Sequence, residues 1–141
     1  MVTTTDRNIG AILHLSQMSK YLFPFGGIII PLIIWINKRQ ASEFADQCGK
    51  SVLNFNLSMF LYYLVAITLF VIGVIYFAID FERINEIVQE ATPITLIAFI
   101  VIGMLFFIGL ILFEFIVSII AALKASNGEN YQYPFTIKFL K

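Results

Sequence analysis

The chain has 141 residues, of which 60% are hydrophobic and 13% charged, and its formal net charge is zero. Globular chains are roughly half apolar and about a quarter charged, and a chain this short buries only about two-thirds of its surface on folding. The composition therefore excludes an ordinary water-soluble domain and predicts an integral membrane protein. The zero net charge gives no reason to expect a nucleic-acid partner.

The first predicted element is a helical hairpin over residues 9–37, broken between Pro24 and Gly27. Proline removes a backbone donor and the adjacent glycines loosen the chain, so the stretch FPFGG predicts a turn. Beyond it, residues 28–36 and their flanks form a helix of only about 20 Å, too short for a bilayer core of about 30 Å. We expect a tilted or partly re-entrant hairpin covered by other helices. The alternative is one long kinked span.

The stretch CGKS that begins at Cys48 ends like a phosphate-binding P-loop, but Phe44 stands where that loop requires glycine. A nucleotide site is therefore not expected. Ser42 instead predicts the cap of a short interfacial helix over residues 42–50, with Lys50 at the water boundary. This helix leads into a span over residues 51–79, which contains no residue that is ionised at neutral pH.

The second half of the chain is predicted to contain an acidic external loop over residues 80–92, a span over residues 93–125 and a tail over residues 126–141. The loop has four carboxylates and one arginine, whereas Lys and Arg flank the other ends of both spans. Because positive flanks stay in the cytoplasm, the loop faces outward and both termini are cytoplasmic. The fold class is thus all-α, a single membrane domain of about four membrane segments.

Glu114 is the most conspicuous polar residue, because it lies ten residues before Lys124 and thus about 15 Å inside the bilayer. A carboxylate at this depth usually faces a bundle interior or a wet cavity. The sequence predicts an intramembrane polar cluster of Glu114 with His14, Lys20, Ser58 and Tyr62. It is either a hydrogen-bond network that fixes helix packing or a proton- or substrate-responsive site. Small and polar residues expected to pack helices are Asn54, Ser118 and Ala121.

Aromatic residues alternate with polar ones in the tail, which is typical of an extended segment. The aromatic residues concerned include Tyr131, Tyr133 and Phe135, and Pro134 interrupts the pattern, which favours an edge strand or an extended peptide. They predict either a membrane-surface anchor or a partner-binding extension, since aromatic rings and lysine are favoured at the membrane interface.

A catalytic or metal site is not expected. The chain has one histidine and one cysteine, in no spacing that would ligate a metal within one chain. His14 lies near Ser16 but has no evident orienting acid, and no nucleophile elbow is present. We therefore expect no enzyme activity and no cofactor.

Three blocks closely resemble a bacterial family of small membrane proteins that is often described as similar to the Tic-twenty subunit of the chloroplast inner-envelope import machinery. They are HLSQMSKYLFPFGGIIIPLIIWINKR, FADQCGKSVLNFNLS and KASNGENYQYPFTIKFLK, and they cover about half the chain. The resemblance implies a four-helix membrane fold and a distant link to protein import, with no catalytic residues. Gln47–Cys48 departs from the Glu or His that members usually carry there.

These observations predict a non-enzymatic accessory subunit of a larger membrane complex, one that handles protein translocation or insertion. The expected partners are the lipid bilayer and other membrane proteins or further copies of the chain, and the expected location is the bacterial inner membrane. The alternative is an oligomeric channel or transporter for ions or small solutes that uses the cluster around Glu114.

Overall fold

The structure, a computed structural model, describes residues 2–87 and 94–141. Over these residues it is helical and contains no strand, which confirms the predicted all-α class. The helices are α1 (Thr4–Ser16), a 3-10 helix (Gln17–Tyr21), α2 (Gly26–Lys38), α3 (Glu43–Ile87) and α4 (Ile94–Ser126). Two of them, α3 over Glu43–Arg83 and α4, are long and apolar enough to span a membrane.

The chain turns between the 3-10 helix and α2, at the predicted break. Phe25 adopts a left-handed conformation with φ of 64° immediately before α2 begins. The next residue must be small, because a Cβ at Gly26 would lie 2.5 Å from the carbonyl oxygen of Ser19. The 3-10 helix packs against α2 through this close approach, and α1 also packs against α2.

The predicted interfacial helix and first span form one continuous helix, α3. Ser42 accepts a hydrogen bond from the backbone N–H of Ala45 at 3.3 Å and so caps α3, as expected. Asp46 in the first turns of α3 accepts a hydrogen bond from the Trp35 indole at 2.8 Å, which attaches α2 to α3. The helix continues through residues 80–87 of the expected acidic loop, and residues 88–92 lie outside the described residues.

The chain divides into two compact units. Unit 1 comprises residues 1–61 and 113–141, and it contains every buried residue among the described side chains. One apolar cluster of unit 1 packs Leu13 and Trp35 of the hairpin with Phe44 and Leu53 of α3.

Unit 2 comprises residues 62–112, the remaining part of α3 and most of α4. Phe70 of α3 stacks on Phe99 of α4 with ring centroids 5.5 Å apart, and Phe77 lies 5.0 Å from Phe99. Gly73 and Gly103 lie directly against these aromatic rings. The apolar surface of unit 2 remains uncovered by the described part of the chain, which fits a lipid environment.

Candidate functional site: the polar core of unit 1

An ion pair joins the 3-10 helix to α4. Lys20 Nζ lies 2.7 Å from Glu114 Oε2, and their side chains are 20% and 3% exposed. A buried carboxylate this far along an apolar helix is costly without a partner, and Lys20 supplies one. Ser118, one turn later, donates a hydrogen bond from its hydroxyl to the Glu114 carbonyl at 2.6 Å, so this hydroxyl is satisfied within α4.

A second buried cluster joins α1, the 3-10 helix, α3 and the tail. The Asn56 amide donates to Gln17 Oε1 at 2.9 Å, and the Gln17 amide donates to the Tyr133 hydroxyl at 2.6 Å. His14 Nδ1 lies 2.8 Å from the same hydroxyl. Because the Tyr133 oxygen already accepts from Gln17, its own proton is available for His14 Nδ1, and the imidazole then carries its proton on Nε2.

Burial determines the protonation of this second cluster. Burial lowers the pKa of His14 from 6.5 to about 4 and raises the pKa of Tyr133 above its ordinary value. Both groups are therefore neutral at pH 7. His14 Nε2 is buried without a hydrogen-bond partner among the described residues. The Tyr133 ring stacks on Phe55 of α3 with centroids 4.2 Å apart, which fixes the tail on the helix bundle.

The extended tail lies along the polar stripe of α3. Ser51 donates to the Tyr131 carbonyl at 2.6 Å, and Ser58 accepts from the Ile137 N–H at 2.8 Å. Asn54 accepts from the N–H groups of Phe139 and Leu140 and donates to the Leu140 carbonyl, at distances between 2.7 and 3.0 Å. The tail has one internal backbone hydrogen bond among the described residues, from the Phe139 N–H to the Ile137 carbonyl at 3.1 Å. The side chains of Ser51, Asn54 and Ser58 therefore satisfy tail backbone groups that would otherwise be unpaired, including the Ile137 and Leu140 N–H groups.

The structure thus distributes the sequence-predicted polar residues over different contacts. Glu114 and Lys20 meet, whereas His14 contacts Tyr133, and Ser58 contacts the tail. Tyr62 belongs to unit 2. The other residues singled out from the sequence lie outside the ion pair. Asn54 lies under the tail, Ser118 and Ala121 are buried on α4, and the tail itself contains Tyr131, half-buried Pro134 and exposed Phe135.

Sequence reasoning left Asn56 out of the cluster, although it bonds Gln17. The available signal was a carboxamide inside a long apolar run, which needs a partner in any low-dielectric setting. Asn56 lies two residues from Asn54 and so on another side of α3.

A cavity of about 340 Å³ opens where α1 and α3 begin, and it is lined by Asp6, Ser42 and Glu43 among others. A hydrogen bond from Ser42 and further bonds from Thr3 hold the pKa of the Asp6 carboxyl below its ordinary value. Over the described residues, no group of three or more His, Cys, Asp or Glu side chains is placed to hold a metal ion.

Two long apolar helices, a helical hairpin and a buried polar core together define a small all-helical protein of a membrane. Residues 5–140 match the magnetosome magnetite crystal formation protein family (MamF/MmsF), and the chain belongs to this family. No curated protein and no solved structure matches the chain significantly.

The family match corrects the Tic-twenty-like interpretation and, with it, the expected role in protein translocation or insertion. The three blocks that suggested that interpretation cover only half the chain, whereas the family match covers nearly all of it. The first block combines a short apolar helix, a Pro/Gly turn and basic flanks, which are general features of a helical hairpin at a membrane. These features indicate a fold and do not identify a function.

Proposed function

We propose that the protein is a non-enzymatic component of a membrane at which magnetite forms, and that it contributes to crystal formation as an accessory subunit among other membrane proteins. The observation that carries this proposal is the family match over residues 5–140, together with two helices able to span a membrane. Both termini lie on the cytoplasmic side in this proposal, because Lys and Arg flank the chain ends of the two spans.

The use made of the polar side chains supports a structural role over an enzymatic one. Lys20 neutralises Glu114, Gln17 joins Asn56 to Tyr133, and Asn54 holds the tail. A catalytic group instead needs a substrate within hydrogen-bond reach. Here the buried polar side chains bond to one another and to the backbone, with His14 Nε2 as the exception among the described residues.

The test is a replacement experiment in a magnetite-forming bacterium. A strain that lacks this chain receives the parent gene, an empty vector or the Asn54→Ala variant, and crystal number and size are measured by electron microscopy. We expect the empty vector to give smaller or fewer crystals and the parent gene to restore them. Crystals unchanged by loss of the chain would overturn the proposed role.

The accessory-subunit part is tested by mild-detergent purification of the tagged protein from the magnetite-containing membrane, followed by mass spectrometry and a native mass. Recovery with other membrane proteins in fixed stoichiometry is expected. Recovery as a homo-oligomer alone would contradict it and favour the channel or transporter alternative.

The burial and pairing of Glu114 favour a packing role over proton-coupled transport. Glu114→Gln distinguishes the two roles in the replacement strain, once protein levels have been matched. Crystal formation retained by this variant agrees with a packing role, and its complete loss at normal protein levels would favour transport.

A further inference from the structure

The exposed surface of the hairpin formed by α1, the 3-10 helix and α2 changes character along its length. At its open end the exposed residues are polar or basic, including Arg7, Asn37, Lys38 and Arg39. Between residues 12 and 36 every exposed side chain is aliphatic, aromatic or proline. Leu22 at the turn is 85% exposed. Turns that face water are normally polar, whereas the turn of this hairpin is apolar and its open end is polar.

The dimensions of the hairpin exclude a full crossing in each direction. α2 has 13 residues and is therefore about 20 Å long, against a hydrocarbon core of about 30 Å. The ion pair gives the depth of the turn in the bilayer, because Lys20 lies next to the turn and its Nζ is 2.7 Å from Glu114 Oε2. With Lys124 at the water boundary, Glu114 lies about 15 Å deep, which is half of the core.

The turn pairs part of its irregular backbone internally, as a lipid environment requires. The N–H groups of Leu22 and Phe23 both bond to the Ser19 carbonyl, and the Gly26 N–H bonds to the Phe23 carbonyl. Internal pairing of this kind is needed where no water reaches the backbone. The charge of Lys20 near the turn is balanced by Glu114.

We propose that this hairpin is a wedge in one leaflet. Its ends emerge on the same side, its turn contacts lipid acyl chains near the midplane, and Arg7, Lys38 and Arg39 contact the headgroups. The α3 and α4 spans add area to both leaflets, whereas the hairpin adds area to one. The protein therefore favours membranes whose convex leaflet carries the hairpin. The curvature preference requires only a lipid bilayer, so it can be tested separately from the proposed role in magnetite formation.

Cysteine labelling tests the path of the hairpin. Thr5→Cys, Leu22→Cys and Asn37→Cys are each treated with a membrane-impermeant maleimide from either side of sealed vesicles. The parent protein is the blank, because Cys48 is its one cysteine and is buried. We expect Thr5→Cys and Asn37→Cys to react from the same side and Leu22→Cys from neither. Reaction of Leu22→Cys from any side, or of the two end variants from opposite sides, would overturn the proposal.

Fluorescence quenching identifies what covers the turn. Leu22→Trp is compared with the parent, whose one tryptophan is Trp35, in vesicles of lipids brominated along the acyl chain. Strong additional quenching in Leu22→Trp is expected. A turn that is protected from maleimide but not quenched would be covered by protein, such as a second copy of the chain, and would contradict lipid contact.

A sorting experiment tests the curvature preference. Thr5→Cys protein is reconstituted into small and large vesicles, and an impermeant dye marks only the copies whose hairpin lies in the outer leaflet. We expect at least about twofold more dye per lipid on the small vesicles. Leu22→Ser/Phe25→Ser should lose this enrichment, whereas Leu69→Ser/Phe106→Ser, which changes two exposed residues of unit 2, should retain it. Equal dye density of the parent on both sizes, or equal loss in both variants, would refute the curvature preference.

Discussion

Lys20 and Glu114 form an ion pair in which each charge compensates the desolvation cost of burying the other. Neither residue fits its apolar surroundings alone, and the two lie 94 positions apart in the chain. A buried ion pair contributes little net stability compared with a well-packed apolar pair, because desolvation offsets the attraction. Removing one partner is different, since it leaves the other charge uncompensated.

This asymmetry gives a prediction for the ion pair. Glu114→Gln should lower the free energy of unfolding by about 3 kcal/mol, because Lys20 keeps its charge without a carboxylate beside it. The double variant Lys20→Met/Glu114→Leu should recover most of that loss. Thermal unfolding in detergent, followed by circular dichroism, measures both. A double variant as unstable as Glu114→Gln would show that the ion pair is not the reason for the loss.

At the scale of elements, the tail depends on one side chain more than on any other. Asn54 makes three hydrogen bonds to the backbone of Phe139 and Leu140, and of these backbone groups the Phe139 N–H also bonds to the Ile137 carbonyl within the tail. The turn of the chain at Gly128, with φ of 83°, directs the tail back from the end of α4.

We predict that Asn54→Ala releases the last residues of the tail. Hydrogen exchange of the Leu140 amide should become at least about tenfold faster, because it loses its acceptor. The Phe139 amide should change less, because its N–H also bonds to the Ile137 carbonyl at 3.1 Å. Thr68→Ala is the matched control, since the Thr68 hydroxyl bonds only within its own helix, to the Leu64 carbonyl at 2.8 Å. Mass spectrometry of exchanged peptides measures the effect, and unchanged tail protection in Asn54→Ala would contradict it.

The close packing of the helix pair in unit 2 requires glycine at positions 73 and 103 but not at position 109. A Cβ at Gly103 would collide with the Phe70 ring, whereas a Cβ at Gly109 would meet nothing within 4 Å. Gly103→Ala should therefore destabilise the pair by about 1–3 kcal/mol through forced repacking. Gly109→Ala should be neutral or slightly stabilising, because alanine favours the helix. Thermal unfolding of both variants measures the difference, and equal behaviour would argue against close packing at Gly103.

The sequence predicted elements better than it predicted contacts. Long uncharged runs and the Pro24–Gly27 turn chemistry are local signals, and they correctly indicated the all-α class, the two long apolar helices and the turn before α2. The partner of His14 is Tyr133, 119 residues away, and no local pattern encodes that distance. Ser51, Asn54 and Ser58 are polar residues at helical spacing, and this pattern does not distinguish a stripe that packs another helix from one that binds an extended tail.

At the scale of the whole molecule, the two units depend on different interactions. Unit 1 buries side chains against one another, including the one histidine of the chain. In unit 2 no described side chain is buried, so its helices rely on their mutual aromatic contacts and on the surrounding lipid. Conditions that act on buried ionisable groups should therefore affect unit 1 selectively.

Acid should loosen unit 1 and leave the helices of unit 2 intact. Burial lowers the pKa of His14 from 6.5 to about 4, so between these values the unfolded chain binds a proton that the folded chain does not. The stability contributed by the neutral imidazole is complete above about pH 6.5 and is lost as the pH falls toward 4. Between pH 7 and pH 5 unit 1 should lose about 2 kcal/mol.

Hydrogen exchange at the two pH values, corrected for the intrinsic pH dependence of exchange, measures this loss separately in each unit. His14→Gln should remove most of the difference in unit 1, because glutamine does not titrate and its side-chain oxygen can still accept the hydrogen bond from the Tyr133 hydroxyl. Equal acid sensitivity in both units, or in parent and variant, would place the responsible group elsewhere. Selective loss in unit 1 would mean that acidification releases the tail through Tyr133 while the membrane-spanning helix pair keeps the protein in place.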